Sequence, residues 1–567
     1  MSPKPLFPVL FLVSLSACAQ STAMERTSPA AETPPARGTT SGLTSQILYQ
    51  FLLGEIAGQR GELKLSAEAY ADLATRTRDA RVAKRATEVA LFARQANLAA
   101  RNASLWLELE PDSVKAVQTL ASLLVTAGRF AEAKPHLVAW IQSGKTGEAF
   151  MQLHGLFAKQ KDRQAVLDLV AELAAGYPSV PEARFAVGQA AWQAGQASRA
   201  LTALSEALKL KPDWETAALF KAQVLQKAEG DAALLEFFKH YLAAFPAARE
   251  VRLAYAKHLA RSGSFVESRA QFEYMTRDNP DNPENHFAIG LVAMQTNDLA
   301  AARAGFQKAL ELGHPEPGNV RYYLGQLAEA GGKLDEALDW YKGIDKGRSL
   351  FEAQLRVAVV LNKQGRLDEA RAWLAGLSPE SDAERLQVVQ TEAQLMRENK
   401  NFEGVFKVLS AALEKSPDSA ELLYDRAMAA EKLNRLDSLE KDLRRLIKLK
   451  PDYAHGYNAL GYTLADRTPR IAEAIELLEK ALKLEPDDPF IQDSMGWALF
   501  KAKRYGEAVD YLRRAYALKP DPEIAAHFGE ALWMKGDRDE ARKVWKNGLK
   551  SHPDNETLRD VASRLMP

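Results

Sequence analysis

The feature that most constrains this chain is a proline-containing turn that returns at nearly constant spacing. Most successive turns lie 34 residues apart, with one long gap between Pro280 and Pro417. The clearest turns are at Pro178, Pro212-Asp213, Pro246, Pro280-Asp281, Pro417-Asp418, Pro451-Asp452, Pro486-Asp487, Pro520-Asp521 and Pro553-Asp554. Such a period indicates a repeat architecture in which each unit buries its apolar side against its neighbours. A chain of this kind presents a surface and rarely carries chemistry.

Small residues recur at fixed places between these turns. In the clearest copy, Pro489 to Pro522, Gly496, Ala508 and Ala515 occupy positions 8, 20 and 27, and Pro520 occupies position 32. Small side chains at these positions let neighbouring helices approach closely, and the proline ends the second helix. This is the pattern of tetratricopeptide repeats, each a pair of antiparallel helices. It predicts an all-α, right-handed superhelical solenoid of about 15 helix hairpins.

Composition and motif content exclude several functions. The 74 basic and 74 acidic residues balance, which argues against a basic groove for nucleic acid. One cysteine permits neither a disulfide framework nor a cysteine-based metal site, and the nine histidines form no HExxH motif. Phosphate-binding loops and GxSxG nucleophile elbows are also missing from the sequence. We therefore predict no catalytic, cofactor-binding or metal-binding residues.

The N-terminus has the pattern of an export signal. Residues 1–17 contain a short apolar stretch followed by small residues, which is typical of a signal peptide. The segment ends in Leu15-Ser16-Ala17-Cys18, which resembles the lipobox of bacterial lipoproteins. The resemblance implies that Cys18 carries the lipid, including palmitate. Because Ala19 rather than aspartate follows it, the resemblance also implies the outer membrane, facing the periplasm. An ordinary signal peptide with a chance cysteine is the alternative.

The mature chain divides by composition and repeat regularity. Residues 18–42 are rich in serine, threonine, proline and alanine and should form a lipidated, disordered tether. Residues 43–382 are predicted to hold degenerate repeats. Residues 383–567 are predicted to hold the more regular C-terminal repeats and a capping helix with Leu558, Val561 and Leu565.

The first predicted helix, Leu43 to Gln59, has an unusually broad apolar stripe. The stripe contains Leu43, Ile47, Leu48, Phe51, Leu52 and Ile56. We expect most of it to pack on the next helix. The remainder, represented by Leu48, Phe51 and Leu52, is a candidate docking surface for another protein.

A second candidate surface is aromatic. In a tetratricopeptide superhelix, positions 2, 5, 9 and 12 of the first helix of each repeat line the concave surface. Near the C-terminus these positions supply Tyr462, Phe490, Trp497, Phe500 and Trp533, here called the aromatic wall. Rings in a groove are typical anchors for a bound peptide. Packing of the same rings between repeats is the alternative. Asn458 and Lys501 match only part of the carboxylate clamp of some tetratricopeptide domains.

Three strings in the C-terminal third go beyond generic repeats. They are Asn458 to Arg467, Asp493 to Trp497, and Ala525 to Glu530 followed by Trp533. They resemble a family of proteobacterial tetratricopeptide outer-membrane lipoproteins. Its best understood type is the binding partner of a periplasmic carboxyl-terminal processing protease.

The resemblance implies a non-catalytic periplasmic scaffold that binds the protease and presents protein substrates, such as peptidoglycan hydrolases, to it. It implies contact with the membrane through the lipid anchor only and no nucleic-acid partner. An assembly factor for an outer-membrane, pilus or polysaccharide-export machine is the alternative. An enzyme is disfavoured, because the repeats leave no room for a catalytic domain.

Overall fold

The computed structural model describes residues 44–565 and consists there of α-helices joined by short turns. The signal peptide, Cys18, the tether and Leu43 lie outside the described residues. The chain divides into two compact units, the first ending at Leu312 and the second beginning at Gly313. The proposed division at 382/383 concerns repeat regularity and stays a prediction.

The first unit contains sixteen described helices. They are α1 (Ser45–Gln59), α2 (Leu63–Thr77), α3 (Ala80–Phe92), α4 (Ala96–Leu109), α5 (Val114–Thr126), α6 (Phe130–Gln142), α7 (Thr146–Phe157), α8 (Arg163–Ala175), α9 (Pro181–Gln193), α10 (Ala197–Leu210), α11 (Glu215–Ala228), α12 (Asp231–Ala244), α13 (Arg249–Arg261), α14 (Phe265–Asp278), α15 (Pro283–Gln295) and α16 (Leu299–Glu311).

The second unit contains fifteen described helices. They are α17 (Pro317–Ala330), α18 (Leu334–Lys342), α19 (Leu350–Lys363), α20 (Leu367–Ala375), α21 (Asp382–Glu398), α22 (Phe402–Lys415), α23 (Ala420–Lys432), α24 (Leu436–Leu449), α25 (Ala454–Arg467), α26 (Ile471–Leu484), α27 (Pro489–Lys501), α28 (Tyr505–Leu518), α29 (Pro522–Lys535), α30 (Arg538–Ser551) and α31 (Glu556–Leu565).

The turns between repeats have clear chemical causes. Proline occupies the first turn of α9, α15, α17, α27 and α29, where its missing N–H would have no helical partner. Asp521 caps α29 by accepting a hydrogen bond from the Glu523 N–H at 2.9 Å. Within the hairpins, the αL turn conformation is adopted by Gly195 and also by Lys503. Lysine carries a steric cost there that glycine does not.

Close helix approach explains the small residues at position 8. A Cβ atom added to Gly496 would lie 2.5 Å from Leu512 Cγ on α28, and one added to Gly461 would lie 2.7 Å from Leu478 Cγ on α26. The α25–α26 and α27–α28 hairpins therefore need glycine at this contact, whereas α13 and α23 carry the small side chains of Ala256 and Ala427 there. The all-α repeat class and the estimate of about 15 hairpins are confirmed within residues 44–565, where fifteen helix pairs are followed by α31.

The core of each unit is a series of clusters along the stack rather than a single centre. The largest cluster of the second unit runs from Ala393 to Ala562 through α21–α31. The final helix, α31, packs on α29 and α30 and buries Leu558 and Val561. Each hairpin thus depends on its neighbours for burial, as expected of a repeat stack.

Candidate functional site

Helix α1 leaves most of its large apolar side chains partly exposed to solvent. Leu48, Phe51, Leu52 and Ile56 are each between 43 and 46 % exposed, and Tyr49 is 62 % exposed. Leu48, Leu52 and Ile56 follow one another at intervals of four residues and therefore share one face of the helix. This row, with Phe51 beside it, is here called the α1 face.

The expectation that most of the apolar stripe packs on the next helix was wrong. Helix α1 meets α2 through small residues: Gly54 and Ala57 are buried, and Ser66 Oγ donates to the Gly54 carbonyl at 2.6 Å. A Cβ atom at Gly54 would lie 2.9 Å from the Tyr70 ring. Close backbone approach leaves little room for leucine on that side. Of the stripe, Ile47 packs on the core, and the Phe51 ring meets Tyr70 edge to face at 6.3 Å.

The second candidate surface lies on α25, α27 and α29, the first helices of three successive hairpins. Trp497 of α27 is at its centre and is only 8 % exposed. Its ring stacks on Phe500 at 4.9 Å and on His527 of α29 at 4.1 Å, with interplanar angles of 11° and 21°. Tyr462 of α25 is 6.3 Å from His527. The structure therefore brings Tyr462 and Trp497 to one histidine, with Phe500 stacked on Trp497.

Asp466 and Lys501, two charged side chains, contact the Trp497 ring. Trp497 Nε1 donates to Asp466 Oδ1 at 3.0 Å, and Lys501 Nζ lies 3.1 Å from the same oxygen. Lys501 Nζ also lies 4.8 Å from the centre of the Trp497 ring. Burial alone would raise the pKa of Asp466, but the hydrogen bonds from Trp497 and Lys501 hold it below its usual range. Asp466 thus stays ionised and ties α25 to α27.

His527 and Asp493 form the polar centre of the stack. His527 Nδ1 is 3.0 Å from each carboxylate oxygen of Asp493, and the two side chains are only 12 and 10 % exposed. Burial by itself would lower the pKa of His527. The charge of Asp493 and its hydrogen bond outweigh burial and raise that pKa, with smaller contributions from Glu523 and Glu530. The imidazolium form is therefore favoured against the Trp497 face, as in a cation–π contact.

The remaining two rings of the aromatic wall are placed differently. Phe490 is 43 % exposed, with Lys519 Nζ 4.3 Å from its ring centre. Trp533 is half-buried, 5.8 Å from Trp545, and flanked by Arg538 at 5.0 Å and Arg542 at 5.4 Å. Phe490 is thus the most exposed ring of the wall, and Trp533, half-buried like Tyr462 and Phe500, lies outside the stack on Trp497.

Sequence reasoning missed the polar half of this site. His527, Asp493 and Asp466 stand within the strings that carry the family resemblance, but an isolated histidine or aspartate gives no signal of its own. The available signal was their position on first helices that also carry wall residues. Lys501, considered for a carboxylate clamp, is occupied by Asp466 and Trp497 of its own chain.

No helix in residues 44–565 is both long and apolar enough to cross a membrane. Stacked helix hairpins with an exposed apolar first helix and a wall of aromatic rings define a class of protein, the helical-repeat scaffold. Within that class, tetratricopeptide repeat models match residues 150–214, 287–350, 420–453, 440–489 and 499–565.

A TPR repeat-containing protein of Pseudomonas aeruginosa is 33 % identical over 484 residues, which is 85 % of this chain and 82 % of the relative. The chain belongs to the tetratricopeptide repeat family. Cellulose synthase 2 operon protein C of Komagataeibacter xylinus is 26 % identical over 231 residues, covering 41 % of this chain but only 16 % of that protein.

Solved structures of tetratricopeptide proteins match parts of the chain. A thermophilic TPR protein of Thermus thermophilus is 21 % identical, covers 38 % of this chain and all of its own, and gives a TM-score of 0.28. A crystal structure of MamA is 20 % identical, covers 28 % of this chain and 94 % of its own, and gives a TM-score of 0.25.

Proposed function

We propose that this protein is a periplasmic lipoprotein scaffold that binds a carboxyl-terminal processing protease and presents protein substrates, including peptidoglycan hydrolases, to it. Tetratricopeptide repeat proteins are generally non-catalytic and bind other proteins. The protease, the substrates and the location rest on the sequence resemblance. Lipidation of Cys18 would hold the chain at the outer membrane. A Cys18→Ser variant should lose incorporation of labelled palmitate and leave the membrane fraction; retention there would contradict the anchor.

The observation that carries the proposal is the α1 face. Apolar side chains in a row on the first described helix leave free energy to be gained by covering them, at about 25 cal/mol per Å² of apolar surface buried. Large exposed apolar patches mark interaction sites. We assign the protease to this face and the substrates to Phe490 and Trp533, the two rings of the aromatic wall that lie outside the stack on Trp497.

The test is direct binding to the purified carboxyl-terminal processing protease of the same organism. A Leu48→Glu/Leu52→Glu double variant places two charges in the α1 face and should weaken binding by about 100-fold or more, if each leucine acts as an interface anchor. Val266→Glu serves as the control, because Val266 is a 72 % exposed apolar residue on α14. Equal affinity for the double variant and wild type would reject the assignment.

Substrate presentation needs a separate readout. A Phe490→Ala/Trp533→Ala variant should bind the protease normally but slow the cleavage of a hydrolase by protease and scaffold together. The control is Phe92→Ala, which removes a ring that is 74 % exposed on α3. Unchanged cleavage would place the substrates elsewhere while leaving the protease contact intact.

A second candidate function is assembly of an export or surface structure. It is favoured by the similarity to the cellulose synthase 2 operon protein. That similarity covers 16 % of the length of the operon protein. Deletion of the gene would then abolish the assembled structure while hydrolase levels stay unchanged. Accumulation of hydrolases in the deletion strain would favour the protease scaffold instead.

A further inference from the structure

Three side chains of different segments converge where α26 gives way to α27. They are His455 on α25, Glu485 directly after α26 and Asp488 directly before α27. His455 Nε2 lies 3.7 Å from Glu485 Oε2, and one ligand atom from each of the three lies within 4.8 Å of the others. This group is here called the junction triad.

The same place in the neighbouring repeats shows what normally occupies it. One repeat earlier, Glu421 pairs with Lys450 at 2.7 Å. One repeat later, Phe490 lies under Lys519, whose Nζ is 4.3 Å from the ring centre. At both junctions a lysine at the end of the second helix contacts position 2 of the preceding first helix. The lysine therefore places a positive charge at each of these junctions.

The junction triad lacks that charge. Glu485 stands at the position of the lysines, and Asp488 adds a second carboxylate beside it. With a neutral imidazole the triad has a formal charge of −2. The corresponding three residues are neutral in sum at both neighbouring junctions, where Lys450 offsets Glu421 beside Tyr453, and Lys519 offsets Asp521 beside Phe490. Like charges held this close repel unless a cation lies between them.

The donor set suits a divalent transition metal. An imidazole nitrogen with two carboxylate oxygens is a ligand combination that Zn²⁺ accepts, with bonds of about 2.0–2.2 Å. Asp488 is already oriented, because its Oδ1 accepts the N–H groups of Phe490 and Ile491 at 2.9 Å each, which leaves Oδ2 for a metal. The His455 ring packs edgewise on Tyr453 at 5.9 Å. Glu485 is about half exposed, with Oε2 on the side of His455 Nε2.

We propose that His455, Glu485 and Asp488 bind one divalent transition-metal ion, with water completing its coordination. The ion would supply the positive charge that lysine supplies one repeat on either side, and would join α25 to the start of α27. Sequence spacing alone did not indicate this site, because its ligands are far apart in the sequence. His455 lies at the start of the α25–α26 hairpin, and Glu485 and Asp488 follow its end. The site lies at the same register as Phe490, beside the aromatic wall.

The experiment is calorimetric titration of the metal-free, purified full chain with ZnCl₂, and with CoCl₂ read by its visible absorption. Wild type should bind one ion per chain at this site. His455→Gln should weaken binding by about tenfold or more, because it removes the nitrogen ligand. His552→Gln, a change at an exposed histidine, should leave binding unchanged.

Glu485→Lys is the sharper variant, because it recreates the lysine of the neighbouring junctions. It should abolish zinc binding while keeping or raising the melting temperature measured in chelator, which separates loss of the site from loss of the fold. Zinc should raise the melting temperature of wild type but not of Glu485→Lys. The proposal is overturned if wild type shows no saturable binding, or if His455→Gln binds zinc as tightly as wild type with circular dichroism showing it folded.

Discussion

The α1 face and the aromatic wall contain similar side chains but use them in opposite ways. In the wall, Trp497 is enclosed by Phe500, His527 and Asp466 of its own chain. On the α1 face, Leu48, Leu52 and Ile56 remain nearly half exposed. The difference teaches that residue type alone does not identify a binding surface. The neighbours decide whether a large apolar group stabilises the fold or is left for a partner.

The largest effect is expected from Trp497→Ala, which tests whether the central ring of the wall is part of the core. Removing a buried, stacked indole should destabilise the surrounding repeats by about 3–5 kcal/mol, because it leaves a cavity and removes the indole hydrogen bond to Asp466. Amide hydrogen exchange in α25, α27 and α29 would report the loss. Phe92→Ala, at an exposed ring, should change exchange little. A small effect at Trp497 would mean that the stack is dispensable and that its ring is free to serve a partner.

The next largest effect concerns the protonation of His527. His527→Gln should cost about 1–3 kcal/mol at pH 6, where it removes an imidazolium paired with Asp493. The pKa of His527 is raised in the folded state, so this stabilisation is fully present below the unfolded pKa of about 6.5 and is lost as pH rises through the folded pKa.

The measurement is urea unfolding of wild type and His527→Gln between pH 5.5 and 9, with the exposed His552 changed to Gln as the reference. The difference in free energy of unfolding between wild type and His527→Gln should become smaller toward alkaline pH. A difference that stays constant with pH would show that the His527 ring stabilises the fold by packing alone.

A smaller effect is expected in the turn that follows α27. Lys503 has a φ of 61°, a conformation that costs a non-glycine residue free energy. Lys503→Gly should therefore stabilise the second unit by about 0.5–1 kcal/mol without touching a ring of the wall. The melting temperature should rise, whereas Gly195→Lys, the reverse change at a turn with φ of 75°, should lower it.

The smallest effect is expected on the α1 face. Leu52→Ser should change the free energy of unfolding by no more than about 0.5 kcal/mol, because the side chain is 46 % exposed. Thermal unfolding of the unbound protein measures this. A loss of about 2 kcal/mol or more would show that the α1 face is part of the core, and the contrast with the wall would disappear.

The sequence by itself determined the repeat fold, because its signals are local and periodic. Proline at the junctions and small residues such as Gly461, Gly496 and Ala508 act within one hairpin. Spacing along the chain was therefore enough to predict the helix pairs. It also predicted that Tyr462, Phe490, Trp497, Phe500 and Trp533 share one wall, because all five follow from the register of first helices.

Only the tertiary structure decided which of these side chains are buried and which are exposed to a partner. Burial of Trp497 depends on Asp466 and His527, which lie about 30 residues before and after it on other helices. The outward turn of the α1 face follows from Gly54 fitting against Tyr70, and the junction triad exists because a hairpin returns Glu485 to His455. These contacts are set by how hairpins pack on one another, and no local pattern encodes that packing.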